Sequence, residues 1–380
     1  MKQKVDFFTE IETYMIGLLR YGVLDERPEQ LLPSSEVDWD KMMDIAATQG
    51  ILAWVWDGIC KLPKENQPSR LMSINWGLSA QEIWDRYNLH VHVLNQMLEI
   101  CTQNSIRLLL FKGIALSKLF PKPESRPAGD IDIYLFENYK KGDELFAHYN
   151  VTKTNKRTGF DYQGVHIENH RIFLNTYTKL QVDAIKYLES TLKDVIHTEY
   201  GYYIMSPIAS IVYQVMHFVA HFDDASASLS LKFVVDFGVT MQAYSDKVNA
   251  VELRQVLERL NIVGVFCLLL GMVENVTGLR YDCYRFYIVP QDDVKAVFHL
   301  IMHRPKDFVP LLDRTAGERF SFYRNRYQQF DNLFKYLPIS RRSFVNKSIR
   351  EFFSISIRRL FHLPDGKSLL TTIKENIIKK

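Results

Sequence analysis

Residues 125–135 read SRPAGDIDIYL. Asp130 and Asp132 alternate with Ile131 and Ile133 inside an apolar run. Such alternation predicts a short strand, because successive side chains of a strand point to opposite faces. The two isoleucines then enter a core and both carboxylates emerge on the other face. Like charges held that close repel and are costly to desolvate, so the pair asks for a cation.

The neighbouring sequence has the same texture. IRLLLFKG (106–113) predicts a buried strand ending at Gly113, IALSKLF one or two helical turns, and PKPESRPAG a loop. NYKKGDELFAHY predicts a weak helix. NVTKTNK (150–156) and GFDYQGVHIENHRIF (159–173) predict strands. In the latter, Val165 and Ile167 share one face, and His166, Glu168 and His170 the other.

Further out the period becomes helical. Upstream are FFTEIETYMIGLLRYG (7–22), a second helix with Ser35 as expected N-cap and Gly50 as stop, and a long pattern from Leu71 to Cys101. Downstream, Leu180, Ile185, Leu188, Leu192 and Ile196 read as one helix face. Ser206-Pro207 reads as a helix start, and helical patterns continue to residue 278. The expected fold class is therefore α+β. A small mixed-sheet core at 101–175 is flanked by helical regions at 1–100 and 176–380.

Hydrophobic residues make up 47% and charged residues 24% of the 380, an ordinary globular balance rather than a disordered one. A net charge of +3 does not by itself mark a nucleic-acid binder. Cys60, Cys101, Cys267 and Cys283 are far apart, which argues against a disulfide framework or a zinc knuckle and fits a cytoplasmic location. The N-terminal stretch carries acids among its apolar residues and is not expected to be a signal peptide. No apolar run is long enough to predict a transmembrane segment.

Carboxylates presented together on a strand face suit a divalent cation, and magnesium is held by one or two protein carboxylates plus phosphate and water. A third acid on a neighbouring strand admits a second metal or a base. Glu168 is the best candidate, and Asp183 ranks below it because its surroundings follow a helical period. The approach to the acids is basic. Lys112 precedes Gly113, where a glycine lets a backbone approach a phosphate, and Arg126 lies in the loop before Asp130. Together these are the parts of a phosphoryl or nucleotidyl transferase.

LLLFKGIALSKLFPKPESRPAGDIDIYL (108–135) resembles a family of uncharacterised nucleotidyltransferases that read K-G-x-A-L, then R-P-x-G-D-I-D, within the polymerase-beta-like nucleotidyltransferase superfamily. GVHIENHRIF resembles its later V-E-x-H segment, and SPIASIVYQVMHFVAHF with LKFVVDFG its helical part. The resemblance covers about residues 70 to 245. It implies that Asp130, Asp132 and Glu168 form the catalytic metal site for Mg2+ or Mn2+, and that Lys112, Gly113, Arg126 and Gly129 serve the NTP. Here Gly113 is followed by Ile114, where the wider superfamily has Gly-Ser or Gly-Gly, and Gly113 lies farther from Asp130 than is usual there.

The implied function is metal-dependent transfer of a nucleoside monophosphate from an NTP to a hydroxyl acceptor: a glycan, a metabolite, a protein or a tRNA. The alternative is a degenerate nucleotide-binding or scaffold protein with a basic docking region. Residues 319–359, rich in arginine interleaved with aromatics, are the candidate polyanion contact. His217 and His221, four apart on a predicted helix, lack an evident third metal ligand and read as packing or cleft-lining residues. Asp236 interrupts an apolar helix and needs a basic partner or the cleft.

Overall fold

The structure is a computed structural model that describes residues 8–24, 31, 36–174, 179–223 and 229–302. The basic stretch 319–359 and the expected cap Ser35 lie outside the described residues.

Four helices come first: α1 (Glu10–Leu24), α2 (Trp39–Thr48), α3 (Leu52–Ile59) and α4 (Arg70–Gln103). The N-cap of α2 is Asp38, whose side chain accepts from the Lys41 backbone N–H. Gly50 follows the helix with φ +65°, as a stop residue requires. Next come β1 (Leu109–Leu110), α5 (Ile114–Ser117), β2 (Ile131–Tyr134), α6 (Tyr139–Phe146), β3 (Tyr149–Lys153), β4 (Arg157–Tyr162) and β5 (Val165–His170). Then follow α7 (Lys179–Ser190), β6 (Ile196–His197), β7 (Tyr203–Ile204), α8 (Pro207–Asp223), α9 (Leu231–Tyr244), α10 (Ala250–Arg259), α11 (Val263–Thr277) and α12 (Gln291–Met302).

The strands form one mixed sheet in the order β3-β4-β5-β2-β1-β7-β6. β2 runs parallel to β5 and β1 parallel to β7; the other neighbours are antiparallel. This is the expected α+β fold, with two corrections of detail. The run 159–173 is not one strand: it turns back at Gln163-Gly164, where both residues have positive φ, as a two-residue hairpin turn requires. Ile196 belongs to β6, not to a helix face, since α7 stops at Ser190.

Ile131, Ile133, Phe160, Val165 and Ile167 pack with Val93, Leu94, Met97 and Leu98 of α4 in one core. Trp76 and Ala80, nearer the start of α4, belong to a second core that α1–α3 share with α8–α12. At 34 residues, α4 is about 50 Å long and spans both cores. The helices before and after the sheet thus share a single core. Leu109 and Phe111 carry that core to the other face of the sheet. Among the described residues no helix is long and apolar enough to cross a membrane.

Candidate active site

Register builds the site. In the parallel pair β2–β5, Asp132 stands opposite Glu168 and Tyr134 opposite His170. Because Ile131, Ile133 and Ile167 are committed to the core, the intervening carboxylates must face the other way. Asp132, Glu168 and His170 each offer a ligand atom within 4.8 Å of the others, and all three are buried. His170 Nε2 lies 2.8 Å from Asp132 Oδ1 and 3.1 Å from Glu168 Oε2. The ring of Phe111 packs edge-on against His170 at 5.0 Å and keeps the imidazole in place.

Cations surround these acids. Lys112 Nζ is 2.7 Å from Asp132 Oδ1, and Arg157 Nη2, from the start of β4, is 2.8 Å from Glu168 Oε1. Burial opposes the Asp132 charge, but Lys112 and His170 outweigh it and hold the carboxyl far below the usual range. Lys112 is the mirror case: desolvation lowers its pKa, and Asp132 more than reverses this. One oxygen of this carboxylate is left over. Asp132 Oδ2 is buried with no hydrogen-bond partner, and Asp132 is only 1% exposed.

The expected residues do not all converge. Asp132, Glu168 and Lys112 do. Asp130 is not one of the three clustered ligands, although Asp132, Lys112, Glu168 and His170 all act on its charge. It sits half-buried before β2. Desolvation and then the Asp132 charge push its carboxyl up. A raised carboxyl means that the folded state carries the Asp130 charge at a cost near neutral pH. Asp130→Asn is therefore expected to raise the melting temperature of the metal-free protein; a fall, read by thermal denaturation at pH 7, would make Asp130 a structural partner instead. Asp183, the rival third acid, lies on α7 outside the cluster.

Arg126, expected to hold phosphate, is buried, and its guanidinium is engaged within the chain. Nε and Nη2 donate to Asp236 Oδ1 and Oδ2 at 2.8 and 2.9 Å, and Nη1 donates to the Gly113 carbonyl at 3.0 Å. Lys232 Nζ, one turn before Asp236, adds a contact at 3.3 Å. Arg126 thus ties Asp236 to the Gly113 turn. Gly113 has φ +59°, which an L side chain resists, and an added Cβ would come within 3.3 Å of the Asp130 carbonyl. Gly129 is exposed, and an added Cβ there would meet nothing within 4 Å.

Three further residues join the site. His170 shares the Glu168 face by alternation and matches the histidine of the resembled V-E-x-H segment. Arg157 and Lys156 had no sequence signal. Lys156, half-buried in the β3–β4 turn, is lowered to about 8, first by desolvation and then by Lys112 and Arg157. From α8, His217 Nε2 lies 3.1 Å from His221 Nε2, and its ring stacks on Tyr213. Burial, then Lys112 and His221, keep His217 neutral. Among the described residues no third metal ligand joins this pair.

The sequence profile of the family described as "Uncharacterised nucleotidyltransferase" matches residues 35–278, more than half of the chain and the whole of the sheet. No curated protein and no solved structure matches the chain. With acids, cations and a glycine turn assembled on one face of that sheet, the chain belongs to this nucleotidyltransferase family.

Proposed function

We propose that the chain transfers a nucleoside monophosphate from an NTP to a hydroxyl acceptor, with a divalent cation, Mg2+ or Mn2+, held by Asp132 and Glu168. One observation carries this reading: Asp132 Oδ2 is buried without a partner beside a second carboxylate. A buried acceptor left unsatisfied is costly, and a cation satisfies it. Carboxylate oxygens are the donors that hard divalent ions take, so the residues present fit the group. The parallel β2–β5 pair that sets the two acids side by side also supports the polymerase-beta-like assignment.

A cation bound there supplies charge neutralisation for the triphosphate and acidity for the attacking hydroxyl. The chain's own residues do the rest. Asp130, at the more open end of β2, accepts the proton of the acceptor hydroxyl as its oxygen attacks the α-phosphorus. The bond from that phosphorus to the oxygen bridging to the β-phosphate breaks, and pyrophosphate leaves. Lys112, Lys156 and Arg157 stabilise the charge on the leaving group. Gly113 and Gly129 let the backbone come close to phosphate oxygens. The cytoplasm, which supplies NTPs and keeps thiols reduced, suits this reaction and the free cysteines.

The acceptor is a glycan, a metabolite, a protein or a tRNA. Incubation with each α-labelled NTP, Mg2+ or Mn2+ and a cell extract separates these classes by where the label appears. Label is expected in one of them with one preferred NTP. An absence of label with every NTP and both ions would overturn the proposal.

A further inference from the structure

We infer that His170 supplies a nitrogen ligand to the cation, and that the site therefore selects Mn2+ over Mg2+. This rests on the nucleotidyl-transfer reading of the same site and names the ion it uses.

The two nitrogens of the imidazole face different partners. Nε2 points between two carboxylates, 2.8 Å from Asp132 Oδ1 and 3.1 Å from Glu168 Oε2. Nδ1 points away, toward the Ile172 carbonyl at 3.4 Å. A backbone carbonyl at the far nitrogen is the usual device that fixes the tautomer of a metal-bound histidine, leaving the other lone pair for the ion. In the metal-free chain Nε2–H donates to the two carboxylates. A cation between them would take the place of that proton, and the ring would carry its proton on Nδ1, toward the Ile172 carbonyl.

The other contacts of the acids agree. Each clustered carboxylate already has one cationic partner, Lys112 on Asp132 and Arg157 on Glu168. His170 is therefore not needed as a third positive charge. The orphaned Asp132 Oδ2 shows that the cluster's bonding is still incomplete with all three partners in place. The Phe111 ring against His170 fixes the imidazole plane, as a ligand of defined direction requires.

A set of two carboxylates and one imidazole is not the set that magnesium prefers. Mg2+ takes oxygen donors and keeps its water, whereas first-row transition ions accept imidazole nitrogen readily. Mn2+ accepts both donor types and so fits this mixed set. Removing the nitrogen should lower Mn2+ affinity by about tenfold or more and leave Mg2+ affinity nearly unchanged.

The test uses the full chain with Mn2+ alone. Free Mn2+ is followed by its solution electron paramagnetic resonance signal, Mg2+ by competition, and nitrogen ligation by electron spin echo modulation with and without [15N]histidine. The expected result is tighter binding of Mn2+ than of Mg2+. Nitrogen modulation should change isotope with the labelled histidine and disappear in His170→Gln. Mn2+ bound without histidine modulation, or an unchanged Mn2+ preference in His170→Gln, would overturn the inference. If α-label transfer persisted in that case, the nucleotidyl-transfer reading would stand without it. No Mn2+ binding at millimolar concentration would overturn it as well. His170→Asn, read by the same spectra and by circular dichroism, separates loss of the ligand from loss of the fold.

Discussion

Asp236→Asn is expected to destabilise the fold by about 3–5 kcal/mol, the range for breaking one side of a buried ion pair. Asp236 is 4% exposed and Arg126 3% exposed, so neither charge has water to fall back on. The substitution keeps the volume and removes the charge, which leaves the buried Arg126 guanidinium beside the half-buried Lys232 ammonium with no anion between them. Burial opposes the Asp236 charge, but Arg126 and Lys232 prevail and hold its carboxyl below the usual range. A depressed carboxyl gives stability that is complete above the unfolded value of about 3.9 and is lost as pH falls through the folded one. Wild-type stability should therefore fall off in acid below about pH 4, and Asp236→Asn should lack that component. Chemical denaturation across pH 2–7 measures both. A loss under about 1 kcal/mol, the level of an exposed pair, would show that the pair is solvated and does not tie α9 to the Gly113 turn. Arg126→Met combined with Asp236→Leu should recover part of the loss, because an apolar pair leaves no buried charge unpaired.

Asp132→Asn should lower nucleotidyl transfer by at least about a hundredfold, since ion-mediated charge stabilisation contributes several kcal/mol to a barrier. Its effect on stability has two opposing parts. Lys112 and His170 lose their anion, but a desolvated charge with an orphaned oxygen disappears. The loss of transfer should therefore exceed any loss of stability. Steady-state kinetics on folded protein, verified by circular dichroism, makes that comparison. Near-normal turnover in Asp132→Asn would move the chemistry elsewhere.

Much of this was legible in the sequence, for reasons that can be named. β2 and β5 each place isoleucine or valine on one face and acids on the other, and a period of two survives even in strands of four to six residues. The long helix α4 was readable because its apolar period repeats over many turns. β6 and β7 were not readable, because a two-residue strand has no period; they exist by pairing with each other and with β1. The Gln163-Gly164 turn was hidden inside a run that alternates on both sides of it.

The site divides in the same way. Asp132 and Glu168 follow from local alternation. The pairing of Arg126 could not follow, since its partner lies 110 residues away in a helix whose lone acid had no evident mate. Lys156 and Arg157 enter the site only because the β3–β4 hairpin folds over the end of β5, where the Lys156 carbonyl accepts the Arg171 N–H at 2.8 Å. Nothing in TNKR (154–157) announces that placement.

Nucleotidyl transfer at Asp132 and Glu168 is tested by the position of the phosphorus that is transferred. The preferred NTP is supplied with label at the α- or the γ-phosphate, with Mn2+ or Mg2+, and the acceptor fraction is counted for wild type and Asp132→Asn. The expected result is α-label in the acceptor, γ-label in released pyrophosphate, and neither event in Asp132→Asn or after chelation of divalent ions. Label from the γ-position in the acceptor, or α-label transfer that persists in Asp132→Asn, would contradict it.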